Sequence, residues 1–315
     1  MALILLFWPT AAAAVHQWDS SSAYSYAYLI APISLYVIWS ERSRLAVLTP
    51  DATFWCAGIC IAFTVAWLLA NALDINEGRQ IALIGMTQAL FVGVLGWRVY
   101  RVMMFPLLFL FLMVPTGEFL LGPLQHLSHA GTVLMLKASG VPIYAEGISI
   151  EVPTGNFLVE PGCAGLNFIL SAFALSLLYG YMFYRSWQAR VLCVVAALVT
   201  AIIANIVRIY LIIALAQFTH RAVDITDDHL LWGWGFFAVI MVGLMWFGLR
   251  FAKPAHLRPL AAGGTFSAAR TVIAVILVVG ISGAGLLFAQ SAPITRMAET
   301  ITAHAPFLLK QGTAE

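Results

Sequence analysis

The stretch EPGCAGLNFILSAFALSLLYGYMFY, Glu160 to Tyr184, joins two kinds of chain. Before it, GISIEVPTGNFLVEPG (147–162) places Ile148, Ile150 and Val152, then Phe157 and Val159, around Pro-Thr-Gly-Asn. Period-two alternation interrupted by such a turn predicts a β-hairpin. After it, residues 164–184 carry no charged side chain. As a helix they are long enough to cross a hydrocarbon core of about 30 Å. Cys163 therefore stands where a polar segment enters a membrane span.

Working outward, apolar runs of this kind recur. The chain is 62% hydrophobic and 10% charged, with a mean hydropathy of +0.93. Soluble domains carry roughly 25% charge. Spans are predicted near 2–15, 24–40, 53–71, 81–97, 102–115, 164–184, 191–217, 230–250 and 271–289. The run 2–15 has no Lys or Arg before it, so it reads as a short span and not as a secretory signal. The expected fold is an all-α polytopic integral membrane protein of eight to nine transmembrane helices. One transmembrane domain covers 1–290, followed by a short periplasmic tail, 291–315. A net charge of +2 without a basic block excludes nucleic acid as a partner. Four scattered cysteines are too few for a disulfide framework or a paired-CxxC zinc site. Cys56, Cys60 and Cys193 lie inside apolar spans, as small hydrophobes.

Basic residues orient the spans. Arg42 and Arg44, Arg98 and Arg101, Arg185 and Arg190, and Arg250, Lys253, Arg258 and Arg270 occupy every second loop. By the positive-inside rule those loops are cytoplasmic. The other loops, including the long segment 116–162, face outward. In that segment Glu118 to Lys137 mixes Phe119, Leu120, Leu124, Leu127, Val133, Leu134 and Leu136 with polar positions. This predicts a helix lying in the interface, with Pro123 near its start.

Three polar residues from successive spans open to this outer side. Cys163, flanked by Gly162 and Gly165, lies at the outer start of a helix, where free N–H groups favour a thiolate. Asn167, four residues on, is expected on the same helix face. The alternative is a cysteine packed in a tight helix start. Arg208 lies in ANIVRIY, within the span 191–217, about 15 Å from its outer end at helical rise. Such an arginine is costly unless it faces a cavity or a partner, and Asn205 shares its face. It either stabilises a thiolate or oxyanion, or holds a structural ion pair. His229 in DDHLLWGWGFF opens the span 230–250 and has the pKa range for general acid–base work. Asp228 and Asp227 precede it; otherwise it is a surface histidine beside acidic residues. Taken together, thiol, imidazole and guanidinium supply what amide cleavage needs: a nucleophile, a proton carrier and an oxyanion donor. Glu160 is near enough to Cys163 to touch the site, as a supporting or structural residue. His126 and His129 have no acidic or sulfur partner at matching spacing, so packing explains them. No metal and no cofactor is expected.

The chain resembles the exosortase/archaeosortase family of polytopic membrane proteins. The resemblance rests on Cys163 in EPGCAGLNF, Arg208 in ANIVRIY and His229 in DDHLLWGWGFF, in that order on successive spans. The stretch SYAYLIAPISLYVIW, Ser25 to Trp39, is also similar, and the likeness runs from about Trp18 to Arg250. It implies a cysteine protease or transpeptidase of the bacterial inner membrane with its site facing the periplasm. The implied substrates are secreted proteins with a C-terminal sorting tail: a short Pro-Glu-Pro-type (PEP-CTERM-like) motif, one transmembrane helix and a basic cluster. The family is typical of bacteria that export exopolysaccharide. Cys163 would be the nucleophile, His229 the acid/base and Arg208 the transition-state stabiliser, with Glu160, Asn167, Asn205 and Asp228 around them. Ala164 stands where many members have serine, and no fused periplasmic domain follows the spans; both bear on the substrate more than on the reaction. Two rival readings are a membrane acyltransferase or glycan-modifying enzyme using His229 without a covalent thiol step, and a transporter with Arg208 as an anion site. The first predicts insensitivity to thiol alkylation. The second predicts flux without a cleaved product, and no paired Gly/Pro-interrupted spans support it.

Overall fold

The computed structural model describes residues 2–218, 229–252 and 266–291. Its helices are α1 Ala2–Leu6, α2 Trp8–Ser20, α3 Ala27–Ser40, α4 Arg42–Leu45, α5 Cys56–Ala72, α6 Asn76–Val102, α7 Met104–Phe109, α8 Leu121–Ala138, α9 Leu166–Phe183, α10 Trp187–Phe218, α11 His229–Leu249 and α12 Ala268–Ser291. Three strands, β1 Tyr144–Glu146, β2 Ser149–Val152 and β3 Gly155–Leu158, lie between α8 and α9. The tail expected over 291–315 lies outside the described residues beyond Ser291. The described chain divides into two compact units.

Among the described residues, four helices have the length and composition to cross a membrane: Asn76–Val102, Pro161–Phe183, Trp187–Gln217 and Ala268–Ser291. A broken pair, Met104–Met113 with Glu118–Ala138, brings the number to five if it is one span. The sequence predicts eight to nine. Part of the difference lies in helix length, because α3 has 14 residues and α5 has 17, below the roughly 20 that an untilted crossing requires. The molecule is a polytopic helical membrane protein on either count.

Among the described residues, the first unit holds 2–20, 27–115 and 266–291. Here α5 and α6 pack along each other and α12 covers both. Cys56, Cys60, Met86, Ala89 and Val278 are fully enclosed between them. Apolar surface gains little by leaving lipid, so such helices associate through close packing and small or hydroxyl side chains. Cys60 Sγ lies 3.4 Å from Ser282 Oγ, and Thr64 Oγ1 donates to Met86 Sδ at 3.5 Å.

One break organises this unit. Gly96 interrupts α6 at φ 76°, ψ 162°, a region open essentially to glycine alone. The carbonyls freed around it are taken up by the chain before α5. Asp51 N donates to Leu95 O at 3.3 Å and Thr53 N to Gly93 O at 3.1 Å, while Thr53 Oγ1 donates to Val92 O at 3.2 Å. Broken backbone inside an apolar protein persists only when its polar groups find such partners. A Cβ at position 96 would meet the Asp51 carbonyl oxygen. Gly96→Ala is expected to destabilise the protein by on the order of 3 kcal/mol through strain and overlap, read as a lowered midpoint in thermal unfolding of the detergent-solubilised protein.

Among the described residues, the second unit comprises 21–26, 116–218 and 229–252. Its centre is α10, which packs on α8, α9 and α11. At 32 residues it is about 48 Å long, well beyond the thickness of a hydrocarbon core. Phe168 and Ala172 of α9, Ala197 and Ala201 of α10, and Phe237 and Met241 of α11 form one buried cluster. The helix predicted to lie in the interface, α8, instead packs against α10 and buries Leu124, Ser128, Thr132 and Leu136. These residues recur every four positions, so they form one stripe. Its small polar members fit a helix-to-helix contact better than a lipid-facing one.

Where the alternation predicts a two-stranded hairpin, a three-stranded antiparallel sheet stands in the order β1-β2-β3. Ile150 pairs with Phe157, and Val152 with Gly155; Tyr144 pairs with Glu151. Ile150 and Val152 are buried with Val159, Leu136, Ile209 and Ile213. The sheet is thus seated on α8 and α10 by one face.

Candidate active site

β3 runs directly into a 3-10 turn, Pro161–Cys163, with Pro161 at its first position. Cys163 N donates to Glu160 O at 2.8 Å and Ala164 N to Pro161 O at 3.2 Å. Gly165 then adopts φ 84°, ψ 14° and caps α9. This left-handed residue separates the cysteine turn from the helix. Cys163 is therefore not in the first turn of α9, and Cys163 and Asn167 do not share a helix face as their spacing predicts. Asn167 is buried, and its Oδ1 accepts from Phe168 N at 3.0 Å. It lines a small pocket of about 130 Å³ with Ser21, Ser22, Glu118 and Gly162.

The turn rests on α10. Asn205, buried to 2%, donates through Nδ2 to the Cys163 carbonyl and to Ser128 Oγ, both at 2.9 Å. Ser128 Oγ reaches the Ala164 carbonyl at 3.5 Å. Ile209, four residues after Asn205, belongs to the apolar cluster against which Cys163 packs. Residues 205, 208 and 209 thus bring one side of α10 to the cysteine turn. The backbone must come close for this: a Cβ on Gly165 would fall 2.6 Å from Asn205 Cγ. Strain and overlap act together here, so Gly165→Ala is expected to lose about 3 kcal/mol of stability. An Asn205→Ala second change should recover part of that loss. Unfolding midpoints of the single and double variants read this coupling.

Arg208 is buried to 7%. Its guanidinium carbon lies 5.5 Å from the Phe168 ring centre, and Phe168 in turn stacks on Phe237 at 4.6 Å. Such a cation over an aromatic face is favoured by the ring quadrupole. A Cβ on Gly233 of α11 would lie 2.7 Å from Arg208 Nε and 3.0 Å from Cζ, so the guanidinium fills the space that this glycine leaves open. Arg208 Nε and Asn205 Oδ1 are buried and have no hydrogen-bond partner among the described residues. Leaving such groups unpaired costs about 1–3 kcal/mol each. Among the described residues, the Arg208 guanidinium and the Glu160 carboxylate are charged groups close enough to act on the Cys163 thiol. A guanidinium favours a thiolate and a carboxylate opposes it.

His229 is the first residue of α11; its side chain lies outside the described residues, and so does Asp228. The backbone still places it. His229 is four residues, one turn or about 6 Å, before Gly233 along α11. Asn205 joins α10 to the Cys163 turn by a hydrogen bond, Arg208 lies three residues further along α10, and Gly233 of α11 stands against its guanidinium. Among the described residues no group of three His, Cys, Asp or Glu side chains could hold a metal.

The transmembrane exosortase family model matches residues 18–246. The chain belongs to the transmembrane exosortase family. No curated protein and no solved structure matches it. The match covers α8, the whole sheet, α9, α10 and all but the last three residues of α11. Membership makes this exosortase a membrane protein-sorting transpeptidase in general terms.

Reading the sequence alone misses the contribution of α8. Gln125 Nε2 donates to the Val159 carbonyl at 2.6 Å, Ser128 reaches Asn205, and His129 Nε2 donates to the Ser149 carbonyl at 3.2 Å. His129 is therefore a brace for the sheet. The available signal was the four-residue recurrence of small and polar positions at 124, 128 and 132, in a segment otherwise rich in leucine.

Proposed function

We propose that this exosortase cleaves the C-terminal sorting tail of secreted proteins at the periplasmic face of the inner membrane, with Cys163 as nucleophile. The observation that carries the reading is the Cys163 turn resting on Asn205 beside a buried arginine whose Nε has no partner among the described residues. In this mechanism Cys163 Sγ, as the thiolate, attacks the carbonyl carbon of the scissile peptide. The carbonyl oxygen gains the negative charge, and Arg208 donates to it. The tetrahedral intermediate collapses, the C–N bond breaks, and His229 as imidazolium gives a proton to the leaving amine. A thioester remains. Water or an amine then attacks it, losing a proton to His229, and the thiolate is released.

Substrate recognition follows from the sheet. β3 is an edge strand and leads straight to Cys163. An extended tail motif pairing with β3 would arrive at the thiol. The tail's own transmembrane helix would lie beside α9, α10 and α11, with its basic cluster in the cytoplasm. The clustering of arginines in alternate loops, which the positive-inside rule assigns to the cytoplasm, supports this orientation, and the shorter apolar helices are read as crossing with the longer ones.

The test is co-expression with a tagged reporter that ends in a Pro-Glu-Pro motif, an apolar helix and an arginine cluster. Reporter size and C-terminal residue are followed by immunoblot and mass spectrometry, with tails encoded near this gene as further substrates. Processing that is lost on alkylation of Cys163 supports the proposal. Processing that survives alkylation favours an acyltransferase-like or other thiol-independent chemistry.

A further inference from the structure

The first unit contains a cleft of about 600 Å³ that plays no part in the chemistry above. Ligand sites run to roughly 300–1,000 Å³. Its two ends differ in character. Phe7, Trp67 and Leu286 line the apolar part, and Phe7 meets Trp67 edge to face at 5.0 Å. Asn71, Asn76 and Arg79 line the polar part, at the turn where α5 ends and α6 begins. Trp67 is one helical turn before Asn71, so the two linings follow one another along the same helix.

The polar end is held in a fixed arrangement. Arg79 Nη1 donates to Asn71 Oδ1 at 3.3 Å, and Nη2 donates to Asp74 Oδ1 at 3.0 Å and to Asn76 Oδ1 at 2.6 Å. A guanidinium has about five N–H donors, so Nε–H and one Nη1–H are without partners among the described residues. The two amide oxygens point at Arg79, which leaves both Asn Nδ2 groups as donors. The cleft therefore offers donors and a positive charge at its polar end and an aliphatic-aromatic wall beyond. On the far side of Arg79 the Asp74 side chain is 92% exposed. An ion pair that open contributes little to stability, and its carboxylate remains available to a second cation.

We propose that this cleft binds a phospholipid whose phosphate is followed by an ammonium group. The phosphate sits on Arg79, Asn71 and Asn76, the ammonium meets Asp74, and an acyl chain lies along Phe7, Trp67 and Leu286. A guanidinium suits phosphate because its fork matches two oxygens at once. The neighbouring carboxylate decides between headgroups, since it attracts a zwitterion and repels a purely anionic lipid.

The experiment is native mass spectrometry of the full chain in detergent, titrated with dioleoyl phosphatidylethanolamine, dioleoyl phosphatidylglycerol or inorganic phosphate. One equivalent of phosphatidylethanolamine is expected to bind. Arg79→Gln, which removes the donors, and Ala13→Phe, which fills the cleft and leaves the polar end intact, should each weaken it by at least about tenfold. Asp74→Asn should narrow the preference over phosphatidylglycerol. Ala13→Phe decides the matter if Arg79→Gln fails to fold. The proposal is overturned if wild type and Ala13→Phe bind phosphatidylethanolamine alike, if phosphatidylglycerol binds wild type equally well, or if inorganic phosphate displaces the lipid completely at equal concentration.

Discussion

Cys163→Ala is expected to abolish reporter processing while leaving the protein inserted and folded. Removing the nucleophile of a covalent mechanism costs on the order of 10⁶ in kcat where the site acts as a unit. In a cell-based assay that is a complete loss. The side chain is only partly buried, and the hydrogen bonds that anchor its turn use backbone atoms of residues 160–164, with Asn205 Nδ2 donating to the Cys163 carbonyl. Alanine keeps all of them, so the loss is chemical and not structural. Size-exclusion elution and thermal unfolding of the variant should match wild type. Normal processing by Cys163→Ala would move the chemistry to another group.

Arg208 carries the second large effect. Removing one oxyanion donor costs roughly 10²–10³ in kcat. Arg208→Lys keeps the charge but loses the planar fork and the Nε–H, so processing is expected to fall by about that factor with the protein still folded. Gly233→Ala tests the same geometry from the opposite side. Its Cβ would stand 2.7 Å from Arg208 Nε, and the guanidinium must move to admit it. Displacement by even about 1 Å is enough for a loss near 10²-fold. A structural arginine would respond differently: Arg208→Lys and Gly233→Ala would lower the unfolding midpoint and leave the processing rate of the folded fraction unchanged. Timed reporter cleavage, normalised to folded protein, separates the two cases.

How far the site could be read from sequence differs from residue to residue. Arg208 announces itself, because a charge within an apolar run is costly and calls for a partner. Asn205 follows from it by helical spacing. Asn167 is the opposite case. Its spacing from Cys163 predicts a shared helix face, but Gly165 turns left-handed between them and the face does not exist. Glycine permits that turn without requiring it. What requires it is the approach of Asn205 from another helix, 40 residues along the chain. Ser128 and His129 were out of reach for the same reason. Their roles depend on which helix lies opposite α8, and the composition of α8 allowed both an interfacial and a packed position.

The sequence by itself determined that this protein lies in a membrane, and that a thiol, a guanidinium and an imidazole stand in or beside three successive apolar segments. Those properties follow from hydropathy and charge, which act locally and sum along the chain. The tertiary structure decided which groups meet: the Asn205 amide under the Cys163 carbonyl, and Gly233 against the Arg208 guanidinium. These contacts join segments far apart in the chain. They depend on side-chain shape at distances of 3 to 4 Å, a scale on which neither periodicity nor composition carries information.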